Sequence, residues 1–150
     1  MADCLFCKMV SGEIPPDTVY EDDDILAFKD INPQAPLHVL IIPKAHIATV
    51  NDLSDANAAT VGRLFLTAKQ IAADNDLTDP GYRLVMNCNA DAGQTVFHIH
   101  LHLLGGRPMT WPVDKSVDKV DNWEFGEFGS LTRGLTDMTT MPLYSLRGNL

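Results

Sequence analysis

The sequence is short of positive charge and has no long hydrophobic run. It contains 11 Lys and Arg against 20 Asp and Glu, a formal net charge of -9. Without clustered basic residues it lacks a surface that could neutralise the phosphates of a nucleic acid polymer. Residues 1–16 do not have the pattern of a secretory signal, and no later window reaches transmembrane length. We therefore expect a cytoplasmic protein with no nucleic acid polymer and no membrane as partner.

Cysteine is also scarce, with Cys4, Cys7 and Cys88 as the only three. An odd number of thiols cannot all pair within one chain, and a cytoplasmic chain normally keeps them reduced. Cys4 and Cys7 have the Cys-x-x-Cys spacing of a zinc knuckle, but two thiols are only half of a closed zinc site. A redox role is disfavoured because no thioredoxin-like βαβ unit follows. The pair alone leaves open a metal site or two buried thiols.

The hydrophobic pattern predicts one α+β domain. Apolar residues recur at helical spacing in one long segment, so that segment should cover a sheet with one face. That face consists of Val61, Leu64, Phe65, Ala68, Ile71 and Ala72. We expect a short helix over 4–12, a long helix starting at Ser54 or Asp55, and strands at 18–20, 25–28, 38–43, 82–87 and 95–104. The strands should form an antiparallel sheet with the long helix on one side.

The pattern weakens after Trp111 and Pro112. Residues 113–150 mix glycine, charge and scattered aromatics with no sustained period. We therefore divide the chain into a domain at 1–112 and a loop-rich C-terminal extension at 113–150, whose role the sequence does not indicate.

Three of the five histidines, His98, His100 and His102, occupy alternate positions near the end of that domain. In a strand they would share one face, while Ile99, Leu101 and Leu103 would face the core. Such a row can bind a catalytic zinc with one open position, or it can attack phosphorus. The preceding Asn-Ala-Asp-Ala-Gly-Gln-Thr loop offers small residues and neutral donors, which suit an anion better than a metal. His100, flanked by the other two, is the natural nucleophile.

His-Ile-His-Leu-His-Leu-Leu resembles the histidine triad (HIT) superfamily of nucleotide hydrolases and transferases. The stretches EDDDILAFKDINPQAPLHVLIIPKAHI, GYRLVMNCNADAGQTVFHIHLHLLGG and RPMTWP resemble its Hint branch, whose members act as nucleoside phosphoramidases. The likeness covers residues 4–112. A galactose-1-phosphate uridylyltransferase is disfavoured because it has glutamine where this chain has His102. Fhit-type dinucleoside polyphosphate hydrolases keep three histidines, but the GGRPMTWP continuation fits Hint better.

The resemblance implies a fold and a set of site residues. The fold would be a HIT-like, five-stranded antiparallel sheet extended across a homodimer. His100 would be the nucleophile, His102 would assist the leaving group and His38 would support them. Asp30 would bind the ribose, although a turn aspartate is the simpler interpretation of Asp-Ile-Asn-Pro. The remaining nucleotide contacts would be Phe28 and Ile31 at the base, Asn87, Gly93, Gln94 and Thr95 at the phosphate, and Trp111 near the partner subunit's active site.

The likeness to zinc-binding HIT proteins also implies the metal ligands. Cys4, Cys7, His46 and His98 would form a closed structural zinc site, with Cys88 left over and no catalytic metal. The expected activity is hydrolysis of purine nucleoside 5'-phosphoramidates to AMP or GMP through a nucleotidyl-histidine intermediate. Three alternatives remain: a dinucleoside polyphosphate hydrolase, a catalytic-zinc hydrolase, and a nucleotide-binding interaction protein whose tail recruits a partner.

Overall fold

A five-stranded antiparallel sheet carries one long and one short helix in the computed structural model, which describes residues 3–111. The helices are α1 (Leu5–Val10) and α2 (Ala58–Asp74), and the strands are β1 (Thr18–Glu21), β2 (Ile25–Lys29), β3 (Leu37–Pro43), β4 (Tyr82–Val85) and β5 (Leu101–Gly105). The spatial order is β1-β2-β3-β5-β4, and every neighbouring pair is antiparallel. The expected α+β fold is confirmed, and the strands expected at 18–20 and 25–28 pair as an antiparallel hairpin.

The sheet separates two apolar clusters. On one side, α2 packs on alternate residues of the central strands, namely Val39, Ile41, Leu101 and Leu103. On the other side, Phe6 of α1 packs with Leu26, Phe28, Leu40 and Ile42. Strand β3 is buried on both faces, which explains why its sequence is continuously apolar instead of alternating. Burial on both faces makes the central strands a rigid support for side chains at their ends.

The start and the buried face of α2 differ from the expectation. Ser54 caps a 3-10 turn through a capping box with Asn57, and the α-helix begins only at Ala58. Phe65 was expected in the core but is 45% exposed, whereas Thr67 is 8% exposed. Position 67 lies three residues after Leu64 and so falls on the same helix face, while position 65 is rotated by about 100° from Leu64. Geometry here overrides side-chain polarity.

Strands β4 and β5 are shorter than predicted. The last strand was expected from Thr95, but it begins at Leu101, and Phe97 is 51% exposed instead of facing the core. The chain bends over residues 96–98, and the Ile99 N–H donates to the Ile47 carbonyl at 2.7 Å. This hydrogen bond takes the place of the strand pairing that an earlier start of β5 would require. The fourth strand, expected over 82–87, ends at Val85.

Residues up to Met109 form one compact unit. Within residues 3–111, no helix combines the length and the apolar composition needed to cross a bilayer. The extension expected at 113–150 lies outside the described residues.

Candidate active site and metal centre

Pairing of β3 with β5 brings His38 and His102 together. Leu40 lies opposite His102 in the register, and His38 is two residues before Leu40, so both imidazoles project from one face. The Nε2 of His38 is 2.9 Å from the Nδ1 of His102, which is a hydrogen-bond distance. The Nε2 of His102 is buried and has no hydrogen-bond partner among residues 3–111. A buried polar atom without a partner is uncommon and marks a place where a ligand could bind.

His100 lies just before β5 and is held by the backbone. Its Nδ1 is 2.7 Å from the His98 carbonyl oxygen, so Nδ1 carries the proton and donates it to that oxygen. A neutral imidazole has one N–H, and therefore Nε2 keeps its lone pair. The ring is 6% exposed, and its centroid is 5.0 Å from that of His102. This arrangement suits a nucleophile whose attacking nitrogen is Nε2.

The surroundings keep His38 and His102 neutral at pH 7. Burial, followed by repulsion from His100 and His38, lowers the pKa of His102 to about 4. Burial also lowers the pKa of His38, against the opposing attraction of Asp30. The Oδ2 of Asp30 is 3.4 Å from the Nε2 of His38. The pair therefore enters a reaction near neutral pH as uncharged rings that can exchange protons.

Asp30 acts as a turn aspartate with one carboxylate oxygen and faces His38 with the other. Its Oδ1 accepts a hydrogen bond from the Asn32 N–H at 2.8 Å, as a turn aspartate does, while Oδ2 is turned towards His38. The ligand atoms of Asp30, His38 and His102 lie within 4.8 Å of one another and so could hold a metal. However, two nitrogens bound to a tetrahedral zinc would be about 3.3 Å apart. The 2.9 Å between His38 and His102 fits a hydrogen bond better.

The loop before the triad is held by Gln94. Its side chain is 4% exposed and donates to the Ala48 and Val96 carbonyls, and its Oε1 accepts from the Asn89 N–H. Both amide hydrogens are therefore used inside the protein. Gly93 has φ +85°, a left-handed conformation that suits glycine. Gln94 fixes the loop, while Thr95 beside it is exposed and free to meet a ligand.

The other residues expected to contact the nucleotide differ in how far they are exposed to solvent. Phe28 is 3% exposed and Asn87 is partly buried, whereas Ile31 is 98% and Trp111 is 84% exposed. Phe6 was not anticipated from the sequence. Its ring meets Phe28 edge-on at 5.5 Å and His100 at 5.2 Å, and so links the base-side residue to the nucleophile. No sequence signal distinguishes this aromatic from ordinary helix packing.

The structure brings the four expected metal ligands into one cluster. Cys4, Cys7, His46 and His98 offer ligand atoms that lie within 4.8 Å of one another. The Nδ1 of His98 is 3.5 Å from the Cys4 sulfur and 3.6 Å from the Cys7 sulfur, and the Nδ1 of His46 is 3.3 Å from the Cys7 sulfur. Zn–S bonds of about 2.3 Å and Zn–N bonds of about 2.0–2.1 Å in a tetrahedral site separate sulfur and nitrogen by about 3.5 Å. The spacing fits zinc.

The tautomer of His98 supports the same conclusion. Its Nε2 donates to the Pro43 carbonyl at 2.7 Å, which leaves the lone pair on Nδ1 facing the two sulfurs. A backbone carbonyl on the second ring nitrogen is a usual partner of a metal-binding histidine. The Cys7 N–H also approaches the Cys4 sulfur at 3.5 Å. The donor set therefore suits zinc, and its four residues leave no open coordination position.

Comparison with known proteins agrees with this geometry. The HIT domain profile matches residues 11–109. An uncharacterized HIT-like protein of Synechocystis is 53% identical over 73% of this chain and 96% of its own length. A purine nucleoside phosphoramidase of Escherichia coli K12 is 51% identical over 70% of this chain and 88% of its own length.

A solved structure gives the same result. The crystal structure of a HIT family hydrolase from Legionella pneumophila superposes with a TM-score of 0.74 and 56% identity, covering 75% of this chain and 100% of that one. The matched profile spans well over half of the chain, including all five strands, His100 and His102. On this evidence the chain belongs to the HIT family.

Proposed function

We propose that the protein hydrolyses purine nucleoside 5'-phosphoramidates to AMP or GMP and an amine. The observation that carries the proposal is the pair of adjacent imidazoles at His100 and His102, whose ring centroids are 5.0 Å apart. His100 has a free lone pair on Nε2, and His102 has a buried Nε2 with no partner beside it. The E. coli relative, a purine nucleoside phosphoramidase by name, supports the substrate class.

The reaction would run in two steps. In the first, the Nε2 of His100 attacks the α-phosphorus, the P–N bond to the amine breaks, and the amine takes the Nε2 proton of His102. His102 is then an imidazolate, whose negative charge is balanced by the positive charge of the phosphorylated His100 ring. In the second, water attacks the same phosphorus, the bond to His100 breaks, and His102 recovers a proton from the water. Asp30 and His38 keep His102 oriented. The chemistry needs no metal, because hydrogen-bond donors can stabilise the developing charge.

Nucleotide binding would use both sides of this centre. We propose that Asp30 binds the ribose, Phe28 and Ile31 contact the base, and Asn87, Gly93 and Thr95 hold the phosphate. Gln94 would act mainly by fixing the loop, since its side-chain amide is already bonded. Phe6, in contact with Phe28 and His100, would complete the apolar side of the pocket.

The cluster of Cys4, Cys7, His46 and His98 would hold a structural zinc. Bound there, the metal would tie α1 to the segment before β5. We further propose a cytoplasmic location, since metal ligation by Cys4 and Cys7 needs reduced thiols and that compartment keeps them so.

We also propose a homodimer built on β4. This strand is at the edge of the sheet, and an edge strand offers unpaired backbone groups to a second copy. A partner placed there could bring Trp111, which is 84% exposed, near the other subunit's site. Sedimentation velocity at several concentrations tests the dimer: a single species of monomer mass throughout would contradict it.

The deciding experiment is mass spectrometry of protein quenched within milliseconds of mixing with adenosine phosphoramidate. We expect an added adenylyl group on wild type that disappears in His100→Ala and accumulates in His102→Ala, whose turnover should fall by about 10²–10⁴-fold. Gly62→Ala, on the exposed side of α2, is the control for handling. Turnover without any adduct, even in His102→Ala, would contradict covalent catalysis.

A substrate comparison tests the amine as leaving group. Turnover of adenosine phosphoramidate should exceed that of diadenosine tetraphosphate in kcat/KM. The opposite order would make the protein a dinucleoside polyphosphate hydrolase with the same nucleophile. Loss of activity on chelation that zinc restores, without loss of folded protein, would favour a catalytic-zinc hydrolase.

A further inference from the structure

We infer that the peptide N–H of Gln34 fixes the proton on His102, and that Arg107 is the positioning residue that holds Gln34 in place through its carbonyl. The inference rests on the proposed function, since it explains how His102 comes to be an acid. The Gln34 N–H donates to the Nδ1 of His38 at 3.0 Å. A ring nitrogen that accepts a hydrogen bond carries no proton.

The hydrogen bond from Gln34 sets the tautomer of His38 and, through it, the tautomer of His102. Because Nδ1 of His38 accepts, its single proton is on Nε2, and this N–H donates to the Nδ1 of His102 at 2.9 Å. His102 then has its own proton on Nε2, the buried atom without a partner. Without the Gln34 bond the relay can reverse, with the Nδ1 of His102 donating to His38. The Nε2 of His102 would then have a lone pair and no proton to give.

His100 has the opposite arrangement because a different backbone group controls it. There the His98 carbonyl accepts from Nδ1, whereas the Gln34 N–H donates into the His38–His102 relay. The His98 carbonyl therefore gives His100 the tautomer of a nucleophile, whereas the Gln34 N–H gives His102 the tautomer of an acid. The Asp30 carboxylate, 3.4 Å from the Nε2 of His38, favours the same tautomer more weakly. Loss of the Gln34 bond should therefore reduce the acid form without abolishing it.

Arg107 holds Gln34 through the peptide group that follows the one carrying the N–H. Its guanidinium donates to the Gln34 carbonyl at 2.8 Å and to the Pro108 carbonyl at 3.1 Å. The Gln34 side chain donates to the Asn32 carbonyl at 3.0 Å. Arg107 follows β5, the strand that carries His102. Arg107 thus connects the loop that contains Gln34 to β5, the strand that contains His102.

The test removes the N–H and little else. Replacing Gln34 by its α-hydroxy acid analogue turns the Pro33–Gln34 amide into an ester, while Gln34→Ala keeps the N–H and serves as the matched control. Two AMP derivatives are compared: a phosphoramidate of a basic alkylamine, which needs a proton to leave, and a p-nitrophenyl ester, which does not. We expect the ester variant to lose at least about tenfold in kcat on the phosphoramidate, with little change on the p-nitrophenyl ester or in KM.

Histidine ¹⁵N shifts in the substrate-free protein give a readout that does not depend on turnover. Wild type and Gln34→Ala should show an unprotonated Nδ1 and a protonated Nε2 on His38, and the ester variant should show a mixture. The His38 tautomers of Arg107→Met should shift partly towards the mixture expected for the ester variant. Arg107→Lys should restore some of the hydrogen bonding to the Gln34 carbonyl, so its shift should be smaller.

Two results would overturn the inference: unchanged histidine tautomers in the ester variant, or equal losses on both substrates. If wild type turned over neither substrate, the proposed function would fail, while the tautomer measurement would still decide the role of Gln34.

Discussion

His98 shows how one residue can belong to two sites. Its side chain faces Cys4 and Cys7, and its backbone carbonyl accepts the Nδ1 proton of His100. A change of its side chain would disturb the metal cluster directly and the nucleophile only through the backbone. In the proposed function, His98 therefore serves the metal cluster, whereas His100 and His102 serve the reaction.

Position 106 requires glycine because of its backbone conformation and the lack of space for a side chain. Its φ is +92°, and a Cβ would be 2.9 Å from the Cβ of Pro36. We expect Gly106→Ala to lower the free energy of unfolding by about 1–3 kcal/mol, because it combines an unfavourable backbone conformation with a steric clash. Urea unfolding measures the loss.

Gly62 is the matched control for this substitution. It lies within α2, is exposed, and has open space around its Cβ position. Gly62→Ala should therefore stabilise the protein by about 0.5–1 kcal/mol. Equal effects of the two alanines would contradict the argument from backbone conformation.

At the scale of elements, α1 is too short to be stable alone. It has six residues, and its N-cap is Cys4, whose sulfur accepts from the Cys7 N–H. Isolated helices of this length do not form in water, so packing of Phe6 and the Cys/His cluster must hold it. A metal there would crosslink α1 to segments more than 35 residues away in sequence.

Metal removal should therefore destabilise the protein. We expect about one zinc per chain by elemental analysis, and a fall of several degrees in Tm after chelation, because a ligand bound only to the folded state stabilises it. Cys7→Ser should lose the metal and show the same lower Tm. Cys88→Ser, outside the cluster, should behave as wild type; loss of metal in that variant would contradict the assignment.

Helix α2 is also tied to the first hairpin. Arg63 pairs with Asp22 and Asp24 in the turn between β1 and β2, and Tyr20 donates to Asp22. The Tyr20 hydroxyl, followed by backbone N–H groups and Arg63, lowers the pKa of Asp22 to about 2. The acidic turn between β1 and β2 is thus a contact point for the long helix.

For the whole molecule, the buried histidines make stability depend on pH. The pKa of His102 is about 4 in the folded protein against 6.5 for an ordinary histidine, and the pKa of His38 is also lowered. Between pH 6.5 and 4 the unfolded chain binds more protons, so the free energy of unfolding decreases as the pH falls. This contribution is fully present above pH 6.5 and lost by about pH 4.

Urea unfolding from pH 7.5 to 4.5 measures this dependence. The slope should be smaller in His102→Gln, which lacks one of the titrating groups. Asp22 acts in a lower window, below pH 3.8, and does not interfere. A stability that is flat from pH 7.5 to 4.5 would contradict the lowered histidine pKa values.

We expect the core to fold without the C-terminal extension. In the described part of the chain, the buried hydrophobic residues all lie between Phe6 and Leu103. A chain that ends at Pro112 should therefore unfold cooperatively with the urea midpoint of the full-length protein. A much lower midpoint would show that residues 113–150 cover part of the domain. Loss of a binding partner with unchanged turnover would support a recruiting role for the extension.

The sequence by itself determined the fold class and the order of the helices and strands along the chain. These follow from periodicity and from motifs whose spacing is local, so they can be inferred without coordinates. Cys4, Cys7, His46 and His98 could be grouped through their resemblance to a known subset, and the structure brings them together.

Only the tertiary structure decided what each histidine nitrogen does. The tautomers depend on backbone groups from other segments, such as the Pro43 carbonyl at His98 and the Gln34 N–H at His38. Backbone groups are the same in every residue, so a sequence cannot indicate which one will meet a side chain. The early end of β5, the exposure of Phe65 and the contact of Phe6 with His100 likewise depend on packing between distant segments.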